Sequence, residues 1–94
     1  MVISKENQEF LEGLIDYYVK EAKSYREIAH EFSSEINSVT DTAFGIIIGC
    51  IYSSFLQAYS NQKQVPDIED IQEFNEIIIK NTEIIKKSIM NEDL

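Results

Sequence analysis

The chain has 94 residues, which is enough for one hydrophobic core and too few for two. Hydrophobic residues make up 44% of the sequence, with only three Gly and one Pro, which argues against disorder and favours long uninterrupted elements. The formal net charge of −9 argues against binding to nucleic acid or to an anionic membrane surface, because both need clustered Lys and Arg.

The cysteine content and the amino-terminal sequence indicate in which cellular compartment the protein is expected. Cys50 is the only cysteine, so an internal disulfide is excluded, and its apolar neighbours predict a buried, reduced thiol. Residues 5–9 are all polar or charged, where a signal peptide needs an apolar run. We therefore expect a cytoplasmic protein.

The first third of the chain predicts one long amphipathic helix over about residues 4–36. Its apolar residues step by four and three in a seven-residue repeat, as in a coiled coil. This stripe consists of Leu11, Ile15, Tyr18, Ala22, Tyr25, Ala29, Phe32 and Ile36. A continuous helix of this length measures about 50 Å, and part of its stripe needs a partner, either a second copy or another protein, to cover it; the length favours a dimer. A helix that bends or breaks would instead cover its own stripe.

The second segment predicts a helix over about residues 39–60 that is buried on all sides. No charged residue occurs between residues 42 and 62, and apolar side chains occupy every side of the helix. The uncharged run is long enough to cross a bilayer. Ser53, Ser54 and Gln57 within it, and the absence of a flanking basic cluster, argue against insertion.

Small residues recur every four positions in this second segment, at Gly45, Gly49 and Ser53. Such a row lets another helix backbone approach closely. It indicates either a tight crossing at a dimer axis or internal packing against the first or third helix. In both cases Gly49→Leu should cost about 1–3 kcal/mol through steric overlap. The predicted helix-packing and dimer-interface residues are Gly45, Gly49, Ser53, Leu11, Ile15, Tyr18, Tyr25 and Phe32.

The last segment predicts a third helix over about residues 66–90. Pro66 suits a first helical turn, acidic residues follow it, and lysines collect towards the carboxyl end, as the helix dipole favours. The sequence therefore predicts a single all-α domain over residues 1–94. Three helices form it, and we expect a helical-bundle homodimer to complete its core.

Few residues suggest catalysis or metal binding. Glu27 and His30 are one helical turn apart, but His30 is the only histidine and both point away from the apolar stripe. The pair Glu9 and Glu12 has the spacing that carboxylates use for magnesium, yet a solvated acidic face explains it as well. We predict no catalytic residue, no metal and no cofactor.

The sequence thus favours a non-enzymatic interaction or assembly protein. Its expected partner is a second copy, with another protein as the alternative and no nucleic acid; membrane association is disfavoured. Two other functions remain open. One is a small-molecule-binding bundle with a tyrosine-lined pocket, and the other is an all-α hydrolase that holds magnesium through carboxylates.

Overall fold

The computed structural model describes residues 2–91, and these fold entirely into helices and connecting turns, which confirms the all-α prediction. Four α-helices are present in this part of the chain, where the sequence predicts three. They are α1 (Lys5–Lys20), α2 (Ala22–His30), α3 (Val39–Asn61) and α4 (Ile68–Met90), with a short 3-10 helix, η1 (Ser33–Glu35), between α2 and α3.

The additional helix arises because the predicted first helix breaks at Glu21. The backbone of Glu21 has φ −99° and ψ 11°, outside the α region, and helical structure resumes at Ala22. Ala22 and Ala29 are 1% and 0% exposed. Their small side chains let α2 approach the other helices closely once the chain has turned. Tertiary packing, and not a local Gly or Pro, therefore ends α1.

The core lies where α1 and α2 together pack against α3 and α4. Phe55 of α3 is fully buried at its centre, with ring centroids 4.8 Å from Phe74 and 5.0 Å from Tyr59. Leu11 and Ile15 of the predicted stripe are buried in this core, at 0% and 6% exposed. The chain thus covers the first part of its own stripe, and the argument for a dimer that rested on a long uncovered helix no longer holds.

Side-chain caps define where the helices begin. Ser4 and Ser38 accept hydrogen bonds from the backbone N–H groups three residues on, and Asp67 does so as part of a full capping box with Asp70. Because Asp67 is the cap, α4 begins at Ile68, two residues after the predicted start at Pro66. After α3, Lys63 adopts a left-handed φ of 57°, and the N–H of Gln64 bonds the Tyr59 carbonyl.

Two long-range contacts hold the ends of the chain. Arg26 of α2 donates from Nη1 to the carbonyl oxygens of Ile89 and Asn91, at 2.8 and 3.1 Å, and so caps the end of α4. Glu73 of α4 accepts the N–H groups of Val2 and Ile3 on one carboxylate oxygen. These contacts fix α1, α2 and α4 around α3.

Candidate functional site

The candidate site is the outer face of α3. One row of this helix faces the core and is buried, and the opposite row faces solvent, so the prediction of a helix buried on all sides is wrong. In the most apolar 18-residue window of α3 only 22% of the residues are buried. α3 is long and apolar enough to cross a membrane, but core helices of soluble proteins can have the same length and composition. The solvent-facing row consists of Gly45, Gly49, Ser53 and Gln57.

The two glycines of this row meet nothing in the described part of the chain. A Cβ atom built on Gly45 or Gly49 would have no neighbour within 4 Å. Internal packing against another helix, one of the two interpretations of the small-residue row, therefore fails. The predicted destabilisation by Gly49→Leu also loses its steric cause within one chain.

Two partly buried rows form the walls of this surface. On the α4 side, Tyr52 contacts Phe74 with ring centroids 5.3 Å apart, and the ammonium of Lys86 lies 5.2 Å from the ring centre of Phe44. Ile48 continues this wall along α3 and packs against the core. On the α1 side, Ser54 and Ala58 share a cleft with Phe10 and Gln57. The surface thus has the solvent-facing row as its narrow floor, with small side chains at its centre, and two largely apolar walls.

Polar groups mark the two ends of the row. At the start of α3, the carboxylate of Asp41 is 3.0 Å from Lys86 Nζ, and its side chain is 68% exposed. At the other end, Gln57 Nε2 donates to Asn61 Oδ1 at 3.0 Å. Residues 41, 45, 49, 53, 57 and 61 follow one another at intervals of four. We call them the open row, and Asp41 is its only charged member.

A cleft of about 530 Å³ adjoins the carboxyl end of the open row. Its base is a reciprocal amide pair: Gln62 Nε2 donates to Asn7 Oδ1 at 2.7 Å, and Asn7 Nδ2 donates to Gln62 Oε1 at 3.3 Å. Asn7 is only 3% exposed. We call this the amide cleft, and its lining residues are Glu6, Asn7, Phe10, Ser54, Gln57, Ala58, Asn61 and Gln62.

The remaining predicted interface residues lie away from the open row. Tyr18 and Tyr25 are half-buried, with ring centroids 5.5 Å apart. Burial, ahead of the neighbouring Cys50 and Tyr25, raises the pKa of Tyr18 to about 12. Phe32 lies beyond the end of α2 and is 56% exposed. Cys50 is half-buried, so the prediction of a buried thiol holds only in part.

The acidic residues of α1 and α2 that the sequence singles out do not come together with a third ligand in the described part of the chain. In residues 2–91, no group of three or more His, Cys, Asp or Glu side chains could hold a metal ion. Glu9, Glu12, Glu27 and His30 are exposed on the surfaces of α1 and α2.

Sequence reasoning missed the buried Asn7. A usable signal was present, because Asn7 is four residues before Leu11 and eight before Ile15, and so lies on the same buried row of α1. Its partner Gln62 follows the end of α3, and no local pattern connects the two residues.

Comparison with known protein families, with curated proteins and with solved structures finds no match for this chain.

Proposed function

We propose that this chain is a non-enzymatic assembly domain that pairs with a second copy of itself through the open row of α3. One observation carries the proposal: Gly45 and Gly49 lie uncovered on the helix with the longest uncharged run in the sequence. In water, glycine in a helix costs about 1 kcal/mol relative to alanine. A partner backbone that packs closely against the two glycines offsets that cost through van der Waals contacts.

The distribution of charge favours a second copy over a basic partner. The 17 acidic and 8 basic residues all lie outside residues 42–62. Two copies with a net charge of −9 repel each other over most of their surfaces. Around Gly49 and Ser53 the α3 face carries no charge, so the copies can meet there without burying an unpaired charge, which is costly. A basic partner would instead be attracted to the acidic surfaces of the other helices.

The size of the face sets the expected strength of pairing. From Asp41 to Asn61 the open row rises about 30 Å along α3 but turns about 40° around the helix at each step, so one partner helix can face only its middle, around Gly49 and Ser53. A stable interface buries about 800 Å² of accessible surface on each partner. The row alone is too small for that, so the walls and the adjoining surfaces of α1 and α4 must contribute. We therefore expect a reversible, concentration-dependent dimer.

The test is the molar mass in solution, measured by light scattering over a range of concentrations. We expect the mass to rise from 10.9 kDa towards twice that value. Gly49→Leu, which fills the floor of the face, should hold the protein at the monomer mass. Gly13→Leu is the matched control, because Gly13 is also an exposed helical glycine with no neighbour within 4 Å, but it lies on α1.

Other outcomes overturn the proposal. A monomer at every concentration refutes self-association. Binding of the monomer to neutral phosphatidylcholine vesicles, strengthened by Gly49→Leu but not by Gly13→Leu, would assign the face to a lipid surface. A dimer that Gly49→Leu leaves intact would place the interface elsewhere.

The amide cleft supports a second candidate function, the binding of a small neutral polar molecule. Its volume of about 530 Å³ is in the range of ligand pockets, about 300–1,000 Å³. Its amides offer both donors and acceptors, and Phe10 supplies an apolar wall. A thermal-shift panel of sugars, nucleosides and small amides tests this function, with Asn61→Ala as the variant expected to lose any response.

A further inference from the structure

We infer that the amide cleft selects molecules that carry a primary carboxamide, and that the side chain of Gln62 occupies the place of that group in the free protein. This inference rests on the second candidate function, the binding of a small polar molecule, and adds the chemical group that is recognised. The observation behind it is the reciprocal hydrogen bonding between a buried amide, Asn7, and an exposed one, Gln62.

Asn7 lies on an otherwise apolar buried row. The other buried residues of this row are Ile3, Leu11 and Ile15, and Asn7 is itself only 3% exposed. The backbone N–H of Asn7 donates to Ser4 Oγ at 3.2 Å, which fixes the first turn of α1. A buried amide without hydrogen-bond partners is costly, so the Asn7 side chain presents a donor and an acceptor in fixed positions, and both need a partner.

Gln62 supplies both partners with one amide group. Its Nε2 donates to Asn7 Oδ1 at 2.7 Å, and its Oε1 accepts from Asn7 Nδ2 at 3.3 Å. A primary carboxamide carries a donor and an acceptor side by side, whereas an ester carries only acceptors and an ammonium only donors. A carboxamide on a ligand can therefore form the same two bonds. The exchange leaves α3 intact, because the backbone N–H of Gln62 bonds the carbonyls of Ala58 and Tyr59 independently of the side chain.

The rest of the cleft indicates what the carboxamide is attached to. The cleft volume of about 530 Å³ is larger than one amide group, and Phe10, 43% exposed, forms an apolar wall. Among the described residues that line the cleft only Glu6 is charged, and the chain has a net charge of −9, so an anionic ligand is repelled. The expected ligand is a neutral carboxamide with a flat apolar body that packs against Phe10.

Benzamide and methyl benzoate are matched probes for this recognition, because both are neutral and aromatic and only benzamide has N–H donors. The full chain is titrated with each probe, and the NMR signals of the Asn7 and Gln62 side-chain amides report binding at the cleft itself. We expect benzamide to bind at least about ten-fold more tightly than methyl benzoate, since the ester leaves Asn7 Oδ1 without a donor.

Removal of the competing amide gives a second readout. Gln62→Ala should lower the Kd for benzamide about ten-fold, because the ligand no longer has to displace an internal partner. Gln64→Ala is the matched control: Gln64 is exposed in the same turn and does not line the cleft, so this variant should keep the Kd of the unmodified chain. Circular dichroism checks that each variant is folded. If Gln62→Ala fails to fold, the comparison of the two probes in the unmodified chain decides alone.

The outcomes separate this inference from the second candidate function. Equal binding of benzamide and methyl benzoate refutes recognition of a carboxamide, and small-molecule binding still stands if a sugar or nucleoside shifts the same amide signals. Benzamide binding that only Gln62→Ala shows, or that Gln62→Ala leaves unchanged, overturns the exchange with Gln62. If neither probe nor any sugar, nucleoside or small amide shifts these signals in the unmodified chain, the inference and the second candidate function both fail.

Discussion

Substitution of Gly49 gives opposite predictions for the stability of one chain and for the pairing of two. In the isolated chain no atom lies within 4 Å of a Cβ built at this position, so a side chain there meets open solvent. Glycine is the weakest helix former other than proline. Gly49→Ala and Gly49→Leu should therefore both stabilise the monomer, whereas Gly49→Leu should abolish the dimer.

The magnitude follows from helix propensity. Replacing an exposed helical glycine by alanine contributes about 0.8–1.0 kcal/mol, and leucine contributes slightly less. For a domain of this size, about 1 kcal/mol raises the Tm by about 4–8 °C. Gly13→Ala on α1 should give a similar increase, because Gly13 has the same open surroundings.

Urea denaturation at high dilution, where the chain is monomeric by light scattering, measures the free energy of unfolding of the monomer. The same measurement at high concentration gives an apparent free energy of unfolding that includes the stabilisation from pairing. Only the unmodified chain and Gly13→Ala should show that stabilisation in full. A loss of about 1–3 kcal/mol in dilute Gly49→Ala would refute this reasoning. Such a loss would mean that Gly49 is covered within its own chain.

Three further predictions concern the fold itself. Leu11→Ala should lower the free energy of unfolding by about 2–5 kcal/mol because Leu11 is fully buried, whereas Phe32→Ala, at a residue 56% exposed, should change it by less than about 0.5 kcal/mol; equal urea midpoints for the two variants would contradict the assignment. Because the folded-state pKa of Tyr18 is raised from 10.0 to about 12, its contribution to stability should be constant below about pH 10 and be lost as the pH rises towards 12, and Tyr18→Phe should show a smaller fall in urea titrations at each pH. Lys63→Gly should raise the Tm through a gain of about 0.5–1 kcal/mol, since Lys63 holds a left-handed φ of 57° that glycine adopts without strain.

The helical regions were largely predictable because periodicity reports which residues share a face. The predicted limits of the second helix, residues 39–60, differ from Val39–Asn61 by one residue. The break at Glu21 was not predictable in the same way. The local sequence contains no glycine, proline or cap there, and the turn exists because buried Ala22 and Ala29 pack against helices that follow much later in the chain.

Three of the six residues of the open row, Gly45, Gly49 and Ser53, were predictable from the sequence, but their surroundings were not. The spacing of Gly45, Gly49 and Ser53 indicates close approach of a backbone, yet spacing cannot say whether that backbone belongs to the same chain. Hydrophobicity was also a poor guide to burial in α3, because a small bundle has too few helices to enclose one on every side. Only the assembled fold shows that the glycines face solvent and that the opposite side of α3 faces the core.

The break at Glu21 and the open face of α3 have a common physical basis. A straight first helix would leave large side chains such as Tyr25 uncovered, and each would expose apolar area worth about 1.5–3 kcal/mol on burial. The bend lets α2 place its small alanines in the core, whereas large apolar side chains remain exposed on α2 and α4, at Ile28, Ile79 and Ile84. The exposed face of α3 carries mainly glycine, serine and amide side chains, which add little apolar area. Such a row gains energy mainly from a backbone that approaches closely, which fits the selective, reversible pairing that we propose better than indiscriminate hydrophobic association.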